Sequence, residues 1–305
     1  MTTSALDQPV KVPTFQGVSA RRKFTNNLAT VLVTLSVLIA VIPLVWVLVT
    51  VVVKGFGAIT SSTWWFNSQS GMTAFAPGGG AYHAIVGTLL QGVVCALISI
   101  PIGVFVGIYL VEYGGGTRLG KVTTFMVDIL TGVPSIVAAL FIYALWVATL
   151  GFERSGFAVS LALVLLMIPV IVRSTEEMLR IVPMDLREAS YALGVPKWKT
   201  IASIVIPTAL SGIVTGIMLA LARVMGETAP LLILVGYAQA INFDIFGGFM
   251  GSLPGMMYDQ VSAGAGANPV PTDRLWGAAF TLIILIALLN VGARFAAKFF
   301  APKKV

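Results

Sequence analysis

Residues 28–53 contain no charged side chain. A helix needs about 20 mainly apolar residues to cross the roughly 30 Å hydrocarbon core of a bilayer, and this run exceeds that length. Five further segments read the same way: 85–111, 123–150, 157–173, 203–235 and 276–299. The reading is a multi-pass, all-α membrane protein with six transmembrane helices. The first run is too long for a signal-peptide core and no small-residue cleavage site follows it, so it reads as a retained span.

Composition agrees and removes rival classes. The chain is 57% hydrophobic and 10% charged, with a mean hydropathy of +0.95, which excludes an ordinary soluble domain. Its only cysteine, Cys95, excludes an intramolecular disulfide, and its only histidine, His83, reads as an interfacial or loop side chain rather than a metal ligand. No metal site is expected. The net charge of +7 is an orientation signal. With the N-terminus inside, 15 of the 19 basic residues fall on cytoplasmic stretches, among them Arg21, Arg22, Lys23, Arg118, Lys121, Arg180, Lys197 and Lys199. This is the positive-inside rule over an even number of spans, so both termini read as cytoplasmic and nucleic-acid binding is not expected.

The segments divide as a cytoplasmic N-terminal tail (1–27, polar and disordered through residue 20), a transmembrane domain (28–300) and a C-terminal tail (301–305). Loops 54–84 and 236–275 read as outward-facing, with Trp64, Trp65 and Phe66 at headgroup level and a short surface helix near Leu253–Val261. Gly103-x-x-x-Gly107 and Gly212-x-x-x-Gly216 read as close helix–helix contacts. Breakers recur at depth: Pro101, Gly132 with Pro134, Pro169, Pro207, and Gly226 with Pro230. Broken helices in a membrane are tolerated where protein or a water-filled path satisfies the freed backbone, which favours a transporter over an anchor.

Two polar stretches carry the chemistry. The first is the insert 184–200 between the fourth and fifth spans. Asp185-Leu-Arg-Glu188 has the form of a capping box, Leu186, Ala189 and Leu193 form one apolar stripe, and Gly194 and Pro196 stop the helix. By geometry alone, this is an amphipathic helix for a membrane surface or a partner. The second is Arg223-Val-Met-Gly-Glu227 inside the fifth span. Charges at helix centre cost about 2.5–3.5 kcal/mol each on insertion scales, so they point to function. Arg223 and Glu227, four apart, are expected to share a face and pair. Asp128, near the inner end of the third span, reads as a structural partner for a basic residue at the interface, the alternative being that it lines the inner mouth. Gly115 through Lys121 imitates a phosphate-binding loop, but Val122 stands where Ser or Thr must hold magnesium and no strand precedes it.

The spacing Glu188-Ala189-Ser190, Gly194, Ile204-x-x-Pro207 resembles the EAA motif of ABC importer permeases, with Ser190 for the second alanine and Ile206 for the usual leucine. Ala-Leu-Ala-Arg223-Val-Met-Gly-Glu227-Thr-Ala-Pro is similar to the phosphate permease family of those importers. That resemblance implies a type I ABC importer permease fold in the bacterial plasma membrane, with the 184–200 segment as a cytoplasmic coupling helix. It implies Glu188, Ala189, Gly194, Ile204 and Pro207 in ATPase coupling, and Arg223, Glu227 and, less closely matched, Arg173 along the substrate path. The implied partners are a sister permease, an ATPase dimer that uses ATP and magnesium, an extracytoplasmic phosphate-binding protein and membrane lipid. This chain itself is expected to bind no cofactor and to be no enzyme. The alternatives on sequence are a permease for another oxyanion or nutrient, and a stand-alone secondary transporter, which would not need the 184–200 segment.

Overall fold

The computed structural model describes residues 19–300, with side chains through residue 295. Of the expected disordered stretch 1–20, residues 1–18 lie outside the described residues, as does the tail 301–305, and Ala20 is helical. The chain divides into two units at Thr50/Val51. Helix α1 (Ala20–Ile59) begins within the predicted tail, so residues 20–27 are helical.

From Val51 the elements are α2 (Ser62–Phe66), α3 (Tyr82–Ile108), α4 (Arg118–Thr131), α5 (Ser135–Ile142), α6 (Gly156–Ile181), α7 (Met184–Ala192), α8 (Lys197–Thr200), α9 (Ile206–Met225), α10 (Ala229–Leu234), α11 (Leu253–Ser262) and α12 (Pro269–Phe300). Wider π turns extend α3 through Tyr113 and α5 through Thr149, and join α8 to α9. Among the described residues, five helical stretches are long and apolar enough to cross a membrane, or six if α4 and α5 form one crossing.

Helix α6 is the axis of the bundle. Its core side chains Met167, Ile171, Val172 and Leu179 are fully buried. Both glycine pairs expected to let helices approach lie against it. Gly103 and Gly107 of α3 face Ile171 and Thr175, and Gly212 and Gly216 of α9 face Met178 and Ser174. A Cβ at any of the four would overlap its neighbour. Small residues there let dispersion contacts replace the hydrophobic drive that lipid does not supply.

These contacts also fix direction. Along α3 and α6 the contacts advance together, from Ser160 Oγ donating to the Gln91 carbonyl at 3.2 Å to Gly107 against Thr175, so the two helices are parallel. Along α9 and α6 they run in opposite senses. Parallel neighbours require the chain between them to return to its starting end. The pair α4–α5 therefore makes a full crossing, although its halves meet at 106°.

The proline reading needs correction. Pro101 and Pro169 lie inside continuous helices, Pro207 follows the π turn inside the continuous helical stretch Lys197–Met225, and Pro230 sits in the first turn of α10, where a missing amide donor costs little. The helix gives way at two points. Gly132–Pro134 bends α4 into α5, and Gly226–Thr228 ends α9. The helix foreseen at Leu253–Val261 is present as α11, but Leu253, Pro254, Met256 and Gln260 are buried against α3 and α12, so it is a capping element and not a surface one.

Candidate functional site

The end of the bundle that carries α7 is held by paired charges. Pro183 occupies the residue before α7 and the helix starts at Met184, so Asp185 lies inside the first turn and makes no side-chain cap. The capping box is therefore absent: proline at the cap position offers no oxygen, and Asp185 sits too far in to reach the free amides. Asp185 can still favour the helix through the positive N-terminal dipole. What anchors α7 is Arg187. Its guanidinium pairs with Glu112 at the end of α3 and donates to the Leu179 carbonyl at 2.8 Å. Both charged side chains are buried. Lys197 donates to the Glu112 carbonyl and lies 4.8 Å from the Tyr113 ring centroid. Ser190 Oγ bonds Thr200 Oγ1 at 2.8 Å, which gives a local use to the residue that departs from the EAA pattern.

With its inner side so anchored, α7 turns the EAA residues outward. Glu188, Ala189 and Gly194 are exposed, as are Met184, Leu186, Tyr191, Leu193 (83% exposed) and Trp198. Gly194 has φ +75°, the left-handed turn its position predicts. Ile204 and Pro207 are half-buried where the chain enters α9. The result is an exposed, largely apolar stripe beside a buried ion pair.

A second charge cluster ties α4 to α6 at the same end. Arg173 pairs with Asp128 and, at 2.7 Å, with Glu176, which accepts from Arg180 at 2.6 Å. The expected pairing of Asp128 is present, and its partner is Arg173. Asp128, Glu176 and Arg180 line an open cavity of about 370 Å³ beside Gly114–Gly116 and Lys121. The phosphate-loop imitation is here a turn capped by Thr117, whose hydroxyl accepts from Gly120 N at 2.9 Å before α4 begins.

The Arg223–Glu227 pair does not form. Helix α9 ends at Met225, and the next two amides turn back to carbonyls three residues earlier, Gly226 N to Arg223 and Glu227 N to Val224, both at 3.2 Å. Spacing of four residues implies a shared face only while the helix lasts, and Gly226 ends it. Among the described residues neither side chain makes an ion pair. The α6–α9 register carries Arg223 to the level of Met167, near the middle of α6. Arg223 is exposed there, and Glu227 is half-buried. Thr208, Ser211, Thr215 and Leu219 are exposed on the same face of α9 as Arg223. A largely polar stripe at this depth is unsuited to lipid and suited to water or another chain. Sequence reasoning missed this stripe, although its spacing of three and four residues is the helical period.

The opposite end is closed by loops. Arg274 donates to the carbonyls of Ala74, Ala76 and Gly78, and Trp64 Nε1 donates to Thr281 Oγ1 at 2.8 Å. His83 is buried in the first turn of α3 with Nε2 2.8 Å from the Tyr237 hydroxyl, so it is neither a loop nor an interfacial residue. Burial raises the Asp259 carboxyl above its ordinary value, offset in part by Gln260, Gln239 and Arg274.

Comparison with known proteins defines the class. A family model described as "Binding-protein-dependent transport system inner membrane component" matches residues 99–305, and the chain belongs to that family. It is 55% identical to the phosphate transport system permease protein PstA of Mycobacterium leprae, covering 100% of this chain and 98% of that one. It is also 55% identical to PstA 1 of Mycobacterium tuberculosis, over 96% and 94%, and 38% identical to PstA of Pasteurella multocida, over 93% and 96%. Among solved structures, the inward-facing MetNI methionine ABC transporter matches with a TM-score of 0.55 at 18% identity, covering 73% of this chain and 94% of that one. A bacterial alginate ABC transporter matches with a TM-score of 0.55 at 12% identity, over 73% and 80%. The fold is that of ABC importer membrane subunits, and the chain is a transport subunit, not an enzyme. The stand-alone transporter reading is thereby set aside.

Proposed function

We propose that this chain is one of two membrane subunits of an ATP-driven phosphate importer. The relatives named above support the substrate, and the exposed face of α9 supports the path. On this reading α7 lies in the cytoplasm with both termini, and its exposed stripe docks into an ATPase dimer that uses ATP and magnesium. Glu188, Ala189 and Gly194 meet the ATPase, and Ile204 and Pro207 carry its motion into α9. The loops over the other end receive a phosphate-binding protein.

The single observation that carries the path is Arg223, exposed on a polar helix face at mid-bundle depth. A guanidinium there would not face lipid, so it faces a sister permease across a water-filled gap. Its forked donors suit phosphate oxygens. Phosphate at neutral pH still carries a proton, which the Glu227 carboxylate can accept in a hydrogen bond, and a fully deprotonated oxyanion offers none. Arg173 serves the anion nearer the α7 end, where Asp128 and Glu176 hold it meanwhile.

Arg223→Gln abolishes phosphate uptake by the complete transporter in proteoliposomes, while the subunits still co-purify. Uptake near the wild-type rate in an assembled Arg223→Gln complex would remove Arg223 from the path.

A further inference from the structure

Among the buried polar atoms left without a hydrogen-bond partner among the described residues, the Gln91 amide nitrogen is the one beside Glu227. Gln91, on α3, is 2% exposed, and its side-chain nitrogen has no hydrogen-bond partner among the described residues. A buried amide donor left unpaired in a native fold calls for a partner, since its desolvation is otherwise uncompensated. Gln91 lines a small cavity between α3, α9 and α11 whose wall also includes Thr88, Leu163, Met225, Glu227 and Ser252. The cavity offers about 10 Å³ to the centre of a water molecule. That is the room one water needs, and too little for an oxyanion of five heavy atoms.

The polar groups of this wall complement a single water. Thr88 Oγ1 is occupied, donating to the Ala84 carbonyl and accepting from Leu253 N, each at 2.8 Å. Ser252 Oγ accepts from Gly255 N at 3.2 Å and keeps its own proton to give. Gln91 has a nitrogen donor to give, and Glu227 can only accept when ionised. A water in this cavity accepts from Gln91 and Ser252 and donates to the Glu227 carboxylate. Two donors and an acceptor meet the two to four partners that buried waters hold.

We infer that this cavity is a binding site for one water that bridges Gln91 Nε2 to Glu227, and that Gln91 is a positioning residue acting through that carboxylate. Glu227 stands just past the end of α9, where no helix fixes it. The bridge ties it to α3, which is locked to α6 by the Gly103 and Gly107 contacts. The role assigned to Gln91 rests on the proposed part of Glu227 in phosphate passage, whereas the water site itself does not.

The test is a double-mutant cycle on the complete transporter in proteoliposomes, read as phosphate uptake, together with a high-resolution cryo-electron structure of the same complex. Gln91→Met keeps the length of the side chain and removes the donor. It is expected to slow uptake about fivefold to tenfold in the wild-type background, the effect of one lost hydrogen bond, and less than twofold in the Glu227→Gln background. A density peak for water between Gln91 and Glu227 is expected in the wild type. An equal loss in both backgrounds would show that Gln91 acts by packing and would overturn its positioning role. No peak at a resolution that reveals other buried waters would overturn the site, and this measurement stands even if Gln91→Met fails to assemble. Normal uptake by Glu227→Gln would remove Glu227 from phosphate passage and with it the role of Gln91, while the water peak would remain a separate result.

Discussion

The end of the bundle at α7 and the break at the end of α9 treat charge in opposite ways. At α7, Arg187 is buried on Glu112, and Arg173, Asp128, Glu176 and Arg180 form a continuous chain of pairs. At the break, Arg223 and Glu227 make no ion pair within the chain among the described residues. A buried pair holds an element in place, because losing either partner strands the other. An exposed charge without a partner contributes little to its own fold and is free to meet something else. The difference separates charges already engaged in holding α4, α6 and α7 from two charges that the chain leaves without an ionic partner among the described residues.

The largest expected break in this contrast is Arg187→Met. It leaves Glu112 buried and alone, and lowers stability by about 3–5 kcal/mol, read as a drop in the melting temperature of the purified complex. Glu112→Gln combined with Arg187→Met recovers most of that loss. Asp128→Asn removes a partly exposed pair and costs about 0.2–1 kcal/mol by the same assay. Asp185→Ala costs only about 0.5 kcal/mol, a dipole effect in the first turn. A loss of about 2 kcal/mol would restore the capping role that the structure denies it. Smallest of all, Arg223→Gln leaves the melting temperature within the scatter of a surface substitution, about 0.5 kcal/mol, while removing uptake.

Much of this was legible in the sequence where the signal is local. The places of the apolar helices, the two glycine pairs, the turn at Gly194 and the exposed stripe of α7 each follow from residues within a few positions of one another. The anchor of α7 was not legible. Glu112 and Arg187 are far apart along the chain, and no local pattern marks two charges for each other. Two local rules also failed for a stated reason. The capping box assumed a helix start at Asp185, but Pro183 moves the start to Met184. The pairing of Arg223 with Glu227 assumed an unbroken helix, which Gly226 interrupts. Gln91 carried no signal at all, because an amide in an apolar helix becomes informative only once its missing partner is seen.

The glycine seams of α6 have a mechanical consequence. With Gly103, Gly107, Gly212 and Gly216 in such close approach, α3 and α9 cannot slide or roll on α6 without forcing side chains into backbone. Such seams favour movement of the three helices as one plate over sliding between them. The plate ends where helix α9 stops, at Gly226–Thr228, and α4 turns into α5 at Gly132–Pro134. Glu227 lies in the Gly226–Thr228 break, so its position relative to Arg223 is set by that turn and by the α3 contact proposed for it, and not by the α9 helix.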